Sequence, residues 1–471
     1  MRARPRDPLH RRDAGLRARR ALRADRRGRQ DRDRGAPASD GLGLRRYGLR
    51  PWLRRRQGPG RLSRRAVARI RRLRRVASRG RRPARWAGAS PRPPRAARAP
   101  ARRREAGDGA LPDHDGGPRG ALRARDVTEI GEVERHFTER LGAEVHCRSL
   151  RQTFPGQSQE TWLVELRLGG GEERGYVLRI NPPGGGIVPY PLRREWEVYA
   201  RLARTPIPVG QPLWYDEDTD FFEGRPFFVR ELVLGSTEVP GVHEPGPAGD
   251  GLRERVAMEH AEHLARLHTL DWESAGFGEI LDAPASPEQA PRLELDTWWK
   301  IWDEVRSDSF PAVTEALYWF EAELPKSIPR ISLLKGNNGL GEEIWRDEKI
   351  VALSDWELAA LGDPAQDWAF SQGMLELWDR EKTLAHYEEC AGFALPRENL
   401  AFWRVWTVFK SICCTHAGLR GFLDGRDLRP ALPAMGFGAV KVGEQMLGGF
   451  QAMGMEQAAN LISTMSGGQR G

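Results

Sequence analysis

The stretch Ile331–Asp367, ISLLKGNNGLGEEIWRDEKIVALSDWELAALGDPAQD, restricts the fold more than any other part of the chain. An apolar lead-in is followed by a glycine-punctuated polar loop, a short hairpin, a strand and a helix start. Residues Ile350 to Leu353 are all apolar, so this strand offers neither face to water and is predicted to be buried on both. It delivers Asp355, whose carboxylate emerges at a buried strand end. A carboxylate there either holds a hard cation that bridges anionic oxygens or caps the next element. In Gly362-Asp363-Pro364-Ala365-Gln366 the pattern predicts a helix start, with Asp363 as N-cap, Pro364 at the first helical position and Gln366 closing a capping box.

Charge divides the chain of 471 residues into two different polymers. Residues 1–125 hold 41 Arg, no Lys and 10 acidic residues, a net of +31, whereas residues 126–471 carry −21. The first segment is rich in Arg, Pro, Ala and Gly and poor in aromatics, so it cannot bury enough apolar surface to offset chain entropy and is expected to be disordered. Arginine without any lysine is odd for a selected basic tail, since lysine neutralises phosphate equally well. Translation from a start codon placed too far upstream accounts for this, and a tail for nucleic acid or an anionic surface is the alternative. A transit peptide fits less well, because the segment is long, poor in Ser and interrupted by Asp.

No apolar run approaches the roughly 18 residues needed to cross a bilayer, so no membrane partner is expected. Cys147, Cys390, Cys413 and Cys414 show neither metal-ligand spacing nor a disulfide framework, which points to a reducing cytoplasm. Cys413 and Cys414 lie in the aromatic run FWRVWTVFKSICCTH and are expected to pack within a buried helix.

From Val127 the composition is globular. Ile130, Val133, Phe137 and Leu141 recur at helical spacing, which predicts an amphipathic opening helix over 127–141. Trp162, Val164, Leu166 and Leu168 alternate with Leu163, Glu165 and Arg167, the pattern of a half-buried strand, and a second strand follows over Gly175–Ile180. The turn before them, TFPGQSQE, has a glycine at Gly156 where backbone N–H groups could approach an anion, with Gln157 and Ser158 as further donors. An ordinary Pro-Gly turn is the plainer alternative. Arg179, on the strand after the glycine turn, and Glu195, on a helix over 191–203, form the cation–carboxylate arrangement that positions α- and β-phosphates in kinase-like folds. The alternative is an exposed strand residue and a solvated helix face.

A further strand is expected over Pro226–Leu232; in a two-lobed kinase it would lead into the interlobe connection, where the backbone from Glu231 through Leu232 to Val233 would meet the adenine edge. Val256, His260, Leu264 and Leu267 fall on one face of a scaffold helix over 252–268. His268 and Trp272 are expected to be structural, and Trp298, Trp299 and Trp302 to belong to a core.

LARLHTLDW, KGNN and SDWELAALGDPAQDWA resemble the aminoglycoside phosphotransferase and choline-kinase-like family, some of whose members are fused to acyl-CoA dehydrogenases. The resemblance spans residues 127–460. It implies an α+β, two-lobed protein-kinase-like fold: a small β-rich N-lobe over 126–234, a larger mainly helical C-lobe over 235–460 and a flexible tail over 461–471. In the family the catalytic loop reads His-Gly-Asp, with a metal-binding Asn five residues beyond the Asp and a metal-binding Asp eighteen beyond it. Lys335-Gly336-Asn337, Glu342 and Asp355 take those places at the same spacing.

The resemblance implies an ATP- and Mg²⁺-dependent transfer of the γ-phosphoryl group to a hydroxyl of a small molecule, amino sugar-like or hydroxyacyl-type, with GTP as an alternative donor. Three positions depart from the pattern. The amide of Asn337 cannot take a proton, and loss of a general base typically costs about 10²–10⁴-fold. Phosphoryl transfer rests mainly on positioning and charge neutralisation, so activity can survive that loss. Over the three loop positions the family's Asp gives −1, whereas Lys335 and Glu342 together give zero. Glu342 and Asp355 are therefore expected to hold the metal and Lys335 to neutralise phosphoryl charge, with Glu343 as a surrogate base only if it turns toward the site. Two other readings stand beside the enzyme: a nucleotide-binding pseudokinase or regulatory module, and a nucleic-acid-binding protein acting through residues 1–125.

Overall fold

The computed structural model describes residues 124–153, 158–182, 190–217, 220–338, 341–371 and 378–467, all within one compact unit, Asp113–Gly471. The Arg-rich segment up to residue 123, and Gly156 and Gln157, lie outside the described residues.

The chain enters through helix α1 (Ala124–Leu141) and continues into strands β1 (Val145–Gln152), β2 (Glu160–Leu168) and β3 (Glu173–Ile180). Helix α2 (Leu192–Leu202) and strands β4 (Pro212–Asp216) and β5 (Phe227–Glu231) complete the lobe. The strands form one antiparallel sheet in the order β1-β2-β3-β5-β4. β1 and β4 were not anticipated, because neither VHCRSLRQ nor PLWYD shows a clean alternation. Val133 and Phe137 of α1 pack on one face with Val164, Leu178 and Val229, while Val198, Tyr199 and Leu202 of α2 cover the other with Phe228. Cover on both faces is why Tyr176, Val177 and Leu178 are buried in succession instead of alternating with exposed positions.

The second lobe is built on helix α3 (Gly246–Thr269), which starts earlier than the apolar periodicity indicates because its first turn is glycine-rich. Helices α4 (Ala290–Val305) and α5 (Pro311–Ala322) follow. The stretch Ile331–Asp367 then supplies β6 (Ser332–Leu334), the hairpin β7 (Glu343–Arg346) and β8 (Lys349–Leu353), and β9 (Ala360–Gly362), which pairs back on β6. Helix α6 (Pro364–Phe370) starts immediately after it. Helices α7 (Arg380–Ala391), α8 (Arg397–Leu423), α9 (Ala431–Met453) and α10 (Met455–Gly467) close the lobe.

Trp298, Trp302, Phe320, Trp403, Trp406 and Phe409 form the centre of the helical core, and Trp299 packs at its edge. Cys413 is buried within the same core, its thiol pushed up by desolvation. Residues 461–467, expected as part of a flexible tail, are instead helical. Ile462 is buried, and Ser463 Oγ accepts hydrogen bonds from Arg380 and Arg404, so the segment has both apolar and polar reasons to stay in place. Among the described residues, no helix is long and apolar enough to cross a membrane.

Candidate active site

The site is organised by the turn after β6. Gly336 has φ +77°, and a Cβ there would stand 2.1 Å from the Leu358 carbonyl oxygen, so only glycine fits. The two amides that begin the turn are held by one carboxylate. Asp367 on α6 accepts from Lys335 N–H at 2.7 Å and from Gly336 N–H at 2.8 Å, and His268 Nε2 lies 3.3 Å from it. His268 is completely buried and bonds through Nδ1 to the Tyr387 hydroxyl at 2.7 Å, the structural role expected of it. Burial would raise the Asp367 carboxyl, but His268 and the two amides outweigh it and hold the group below its ordinary value.

Asp363 caps α6 by accepting from Ala365 N–H at 3.0 Å, and it also accepts from Trp403 Nε1 at 2.7 Å and Asn399 Nδ2 at 2.9 Å. Gln366 does not close a capping box. Its side-chain Nε2 donates to the Glu294 carboxylate at 2.6 Å, a charge-assisted hydrogen bond that orients the amide toward α4.

Asp355 sits just beyond β8 with φ +64°, a left-handed backbone that a non-glycine residue adopts at a cost and that recurs at functional sites. Its Oδ1 accepts from Arg179 Nη2 at 2.8 Å and its Oδ2 from Asn337 Nδ2 at 3.1 Å. Arg179, on β3, also donates to Thr161 Oγ1 at 3.0 Å and lies 3.2 Å from Glu195 on α2 and 3.6 Å from Glu357. Thus one guanidinium joins the β-rich lobe to the strand-end carboxylate of the other lobe. Burial alone would lower Arg179, yet Glu195, Asp355 and Glu357 together raise it.

Ser158 donates through Oγ to Glu357 at 2.6 Å, which brings this residue onto the same cluster. The hydroxyl meets a carboxylate and not an open phosphate position. Lys335 is 1% exposed and donates through Nζ to the Asn337 carbonyl oxygen and the Glu342 carboxylate. Glu343, the neighbour of Glu342, turns away and lies against His260 Nδ1 in a buried pair, so it cannot serve as a surrogate base. At the interlobe connection, Glu231 N–H donates to Gln211 O at 2.8 Å and Leu232 N–H to Gly175 O at 3.0 Å. Those two N–H groups, part of the Glu231–Val233 backbone expected to meet an adenine edge, are spent within the sheet.

The cluster holds more negative than positive charge: Glu195, Glu342, Asp355 and Glu357 against Arg179 and Lys335. Burial and the repulsion of Asp355 push Glu357 up to about 8, and the same two causes push Glu342 up to about 7 despite Lys335. A carboxylate excess of this kind is the donor set a divalent cation complements. Among the described residues, no group of three or more metal-binding side chains is gathered into a ready cage. Mg²⁺ does not need one, since it keeps several waters and binds through one or two carboxylates and substrate phosphates.

Sequence reasoning missed three members of the site. Glu357 is signalled only by its spacing, two residues after Asp355. Asp367 is masked by apolar neighbours in the first turn of α6. Lys410 stood as a single cation in an aromatic run; it is 2% exposed, 3.3 Å from Glu294 and 3.5 Å from the Gly336 carbonyl oxygen, with the Trp298 and Phe370 rings at 5.0 Å and 5.1 Å.

The β-rich lobe, the helical lobe and the loop and strand-end carboxylate of the second lobe define a kinase-like fold. Residues 151–403 match the family described as Phosphotransferase enzyme family, and the chain belongs to it. A provisionally assigned aminoglycoside phosphotransferase from Ralstonia eutropha shares the fold, with a TM-score of 0.51 and 22% identity over 70% of this chain and 98% of that one. Acyl-CoA dehydrogenase family member 11 of Gallus gallus is 28% identical over 289 residues, 56% of this chain and 35% of the relative. Acyl-CoA dehydrogenase family member 10 of Mus musculus is 30% identical over 230 residues, 47% of this chain and 20% of the relative. The chain therefore spans about a third or less of these curated relatives.

Proposed function

We propose that this chain transfers the γ-phosphoryl group of ATP, in a Mg²⁺-dependent reaction, to a hydroxyl of a small molecule. The observation that carries the reading is the chain of contacts from Glu195 through Arg179 and Asp355 to Asn337, which ties the cation of one lobe to the loop of the other. When bound, Mg²⁺ would supply Lewis-acid polarisation of the phosphate oxygens. Asp355 would hold it with Glu357 beside it, while Glu342 faces the same cluster already joined to Lys335.

The residues of this chain then act by position and charge. Arg179 exchanges carboxylate oxygens for phosphate oxygens and keeps the donor in line. Asn337 directs the acceptor hydroxyl but takes no proton, so the hydroxyl proton leaves to the transferred phosphoryl oxygens or to water as the new P–O bond forms and the bridging bond to the nucleoside diphosphate breaks. GTP is an equal donor on this reading, since the roles given to Arg179 and Asp355 are toward phosphate oxygens and not toward a base. For the acceptor, the relatives' name as acyl-CoA dehydrogenases favours a hydroxyacyl-type molecule over an amino sugar.

Asn337 also favours a second reading, a nucleotide-binding module without efficient transfer, because a loop amide cannot act as a base. Turnover of ATP across a panel of hydroxylated acids, their thioesters and amino sugars separates the two. The expected result is Mg²⁺-dependent turnover that falls at least about 10²-fold in Asp355→Ala. A thermal shift with ATP and no turnover on any acceptor would establish the binding module instead.

A further inference from the structure

We propose that the buried Lys335 ammonium takes the place of one of the two divalent cations used by kinase-like sites, so that this protein binds its nucleotide with a single metal ion. The inference rests on the phosphotransferase reading above. In protein kinases two Mg²⁺ are held by the strand-end Asp and the catalytic-loop Asn. Here the loop position that would hold the second ion is Glu342, and its carboxylate already binds a cation belonging to the chain.

The coordination of that cation is built like a metal site. Lys335 Nζ meets two kinds of oxygen, the Asn337 main-chain carbonyl and the Glu342 carboxylate, which are the hard donors Mg²⁺ takes. At 1% exposure the ammonium has little water to return to, so its pairing with Glu342 is obligatory while it stays charged. A divalent ion on Glu342 would have to displace this ammonium or sit beside it. Displacement strands a buried cation, and adjacency sets like charges together.

The charge count agrees. Lys335, Asn337, Glu342 and Asp355 sum to −1, whereas His, Asp, Asn and Asp at the corresponding places would sum to −2. The loss of the loop Asp charge and the gain of Lys335 outweigh the added Glu342 by one unit, which lowers the demand for external cations. Among the described residues, Asp355 takes hydrogen bonds from exchangeable donors, Arg179 and the Asn337 amide, and from no lysine. It is therefore the position left for the single ion.

The test counts metal ions directly. Mn²⁺ is titrated into the full chain saturated with a non-hydrolysable ATP analogue, and bound ions are counted by electron paramagnetic resonance. The wild-type chain should take up one Mn²⁺ per bound nucleotide. The double variant Lys335→His with Glu342→Asn, which avoids leaving a lone buried charge, should take up two. Two ions on the wild-type complex would overturn the inference alone, and so would a count of one in the folded double variant. If the analogue fails to bind at all, with or without metal, the phosphotransferase reading falls and this inference with it.

Discussion

Replacing Asp367 with alanine tests the physical account of the turn after β6 without assuming any activity. The Asp367 carboxylate is fully buried and accepts from Lys335 N–H at 2.7 Å and Gly336 N–H at 2.8 Å, with His268 at 3.3 Å. Hydrogen bonds to a charged group contribute about 1.5–3 kcal/mol each, and a buried donor left without a partner costs about 1–3 kcal/mol. The alanine variant leaves two such amides, so its loss is about 3–6 kcal/mol, a large part of a typical stability of about 5–15 kcal/mol. Gly336 cannot relieve it by moving inward, because the Leu358 carbonyl already closes that side. Urea unfolding of the nucleotide-free protein, followed by tryptophan fluorescence, gives the number directly. Failure to accumulate as folded protein counts as the upper end of the range. A loss below about 1 kcal/mol with unchanged denaturant slope would mean that water or a shifted loop satisfies these amides, and the reasoning would be refuted.

Asn337→Asp should raise Mg²⁺-dependent turnover about 10²-fold or more by supplying a general base. Its nucleotide-free melting temperature should drop, since the Asn337 amide that donates to Asp355 at 3.1 Å becomes a second carboxylate. A rise in turnover without that drop would contradict the contact. His263 gives a pH prediction: burial first, then the Arg266 charge, lower it to about 4. A depressed histidine means that the unfolded chain binds the extra proton, so stability is full above about 6.5 and is lost as pH falls toward 4. Urea midpoints between pH 4 and 7 should therefore slope less in His263→Leu than in the wild type, and parallel slopes would remove His263 as a cause.

What the sequence disclosed follows from which interactions are local. Asp363 and Pro364 announce the start of α6 within adjacent residues, and the apolar run Ile350–Leu353 announces a buried strand, so both were legible. The pairing of Arg179 with Glu195 could be anticipated because a strand and the next helix bring them together by a short connection. The roles of Glu231 and Leu232 could not, because their amide partners, Gln211 and Gly175, are set by the five-strand order. Gln366 misled for a related reason: its true partner, Glu294, is 72 positions away. Asp367 was invisible because a buried carboxylate looks, in sequence, like any acidic residue in a first helical turn. Only its long-range amide partners show that it fixes the loop.

The same long-range charges bear on how nucleotide and metal would enter. In the ligand-free protein, Arg179 is shared among Glu195, Asp355 and Glu357, and Asp355 spends both oxygens on Arg179 and Asn337. A triphosphate arriving alone would draw Arg179 toward its own oxygens and leave Asp355 facing further negative charge. A divalent ion arriving alone would claim Asp355 and set a second cation against Arg179. Arriving together, they would exchange partners: the anion would satisfy Arg179 and the cation Asp355, so neither charge would be left uncompensated in a partly buried cleft. Burial, with the repulsion of Asp355 added, pushes Glu342 and Glu357 up, and the same exchange would relieve the Asp355 part of that rise. On the proposed function, coupling between nucleotide and metal would follow from these ion pairs.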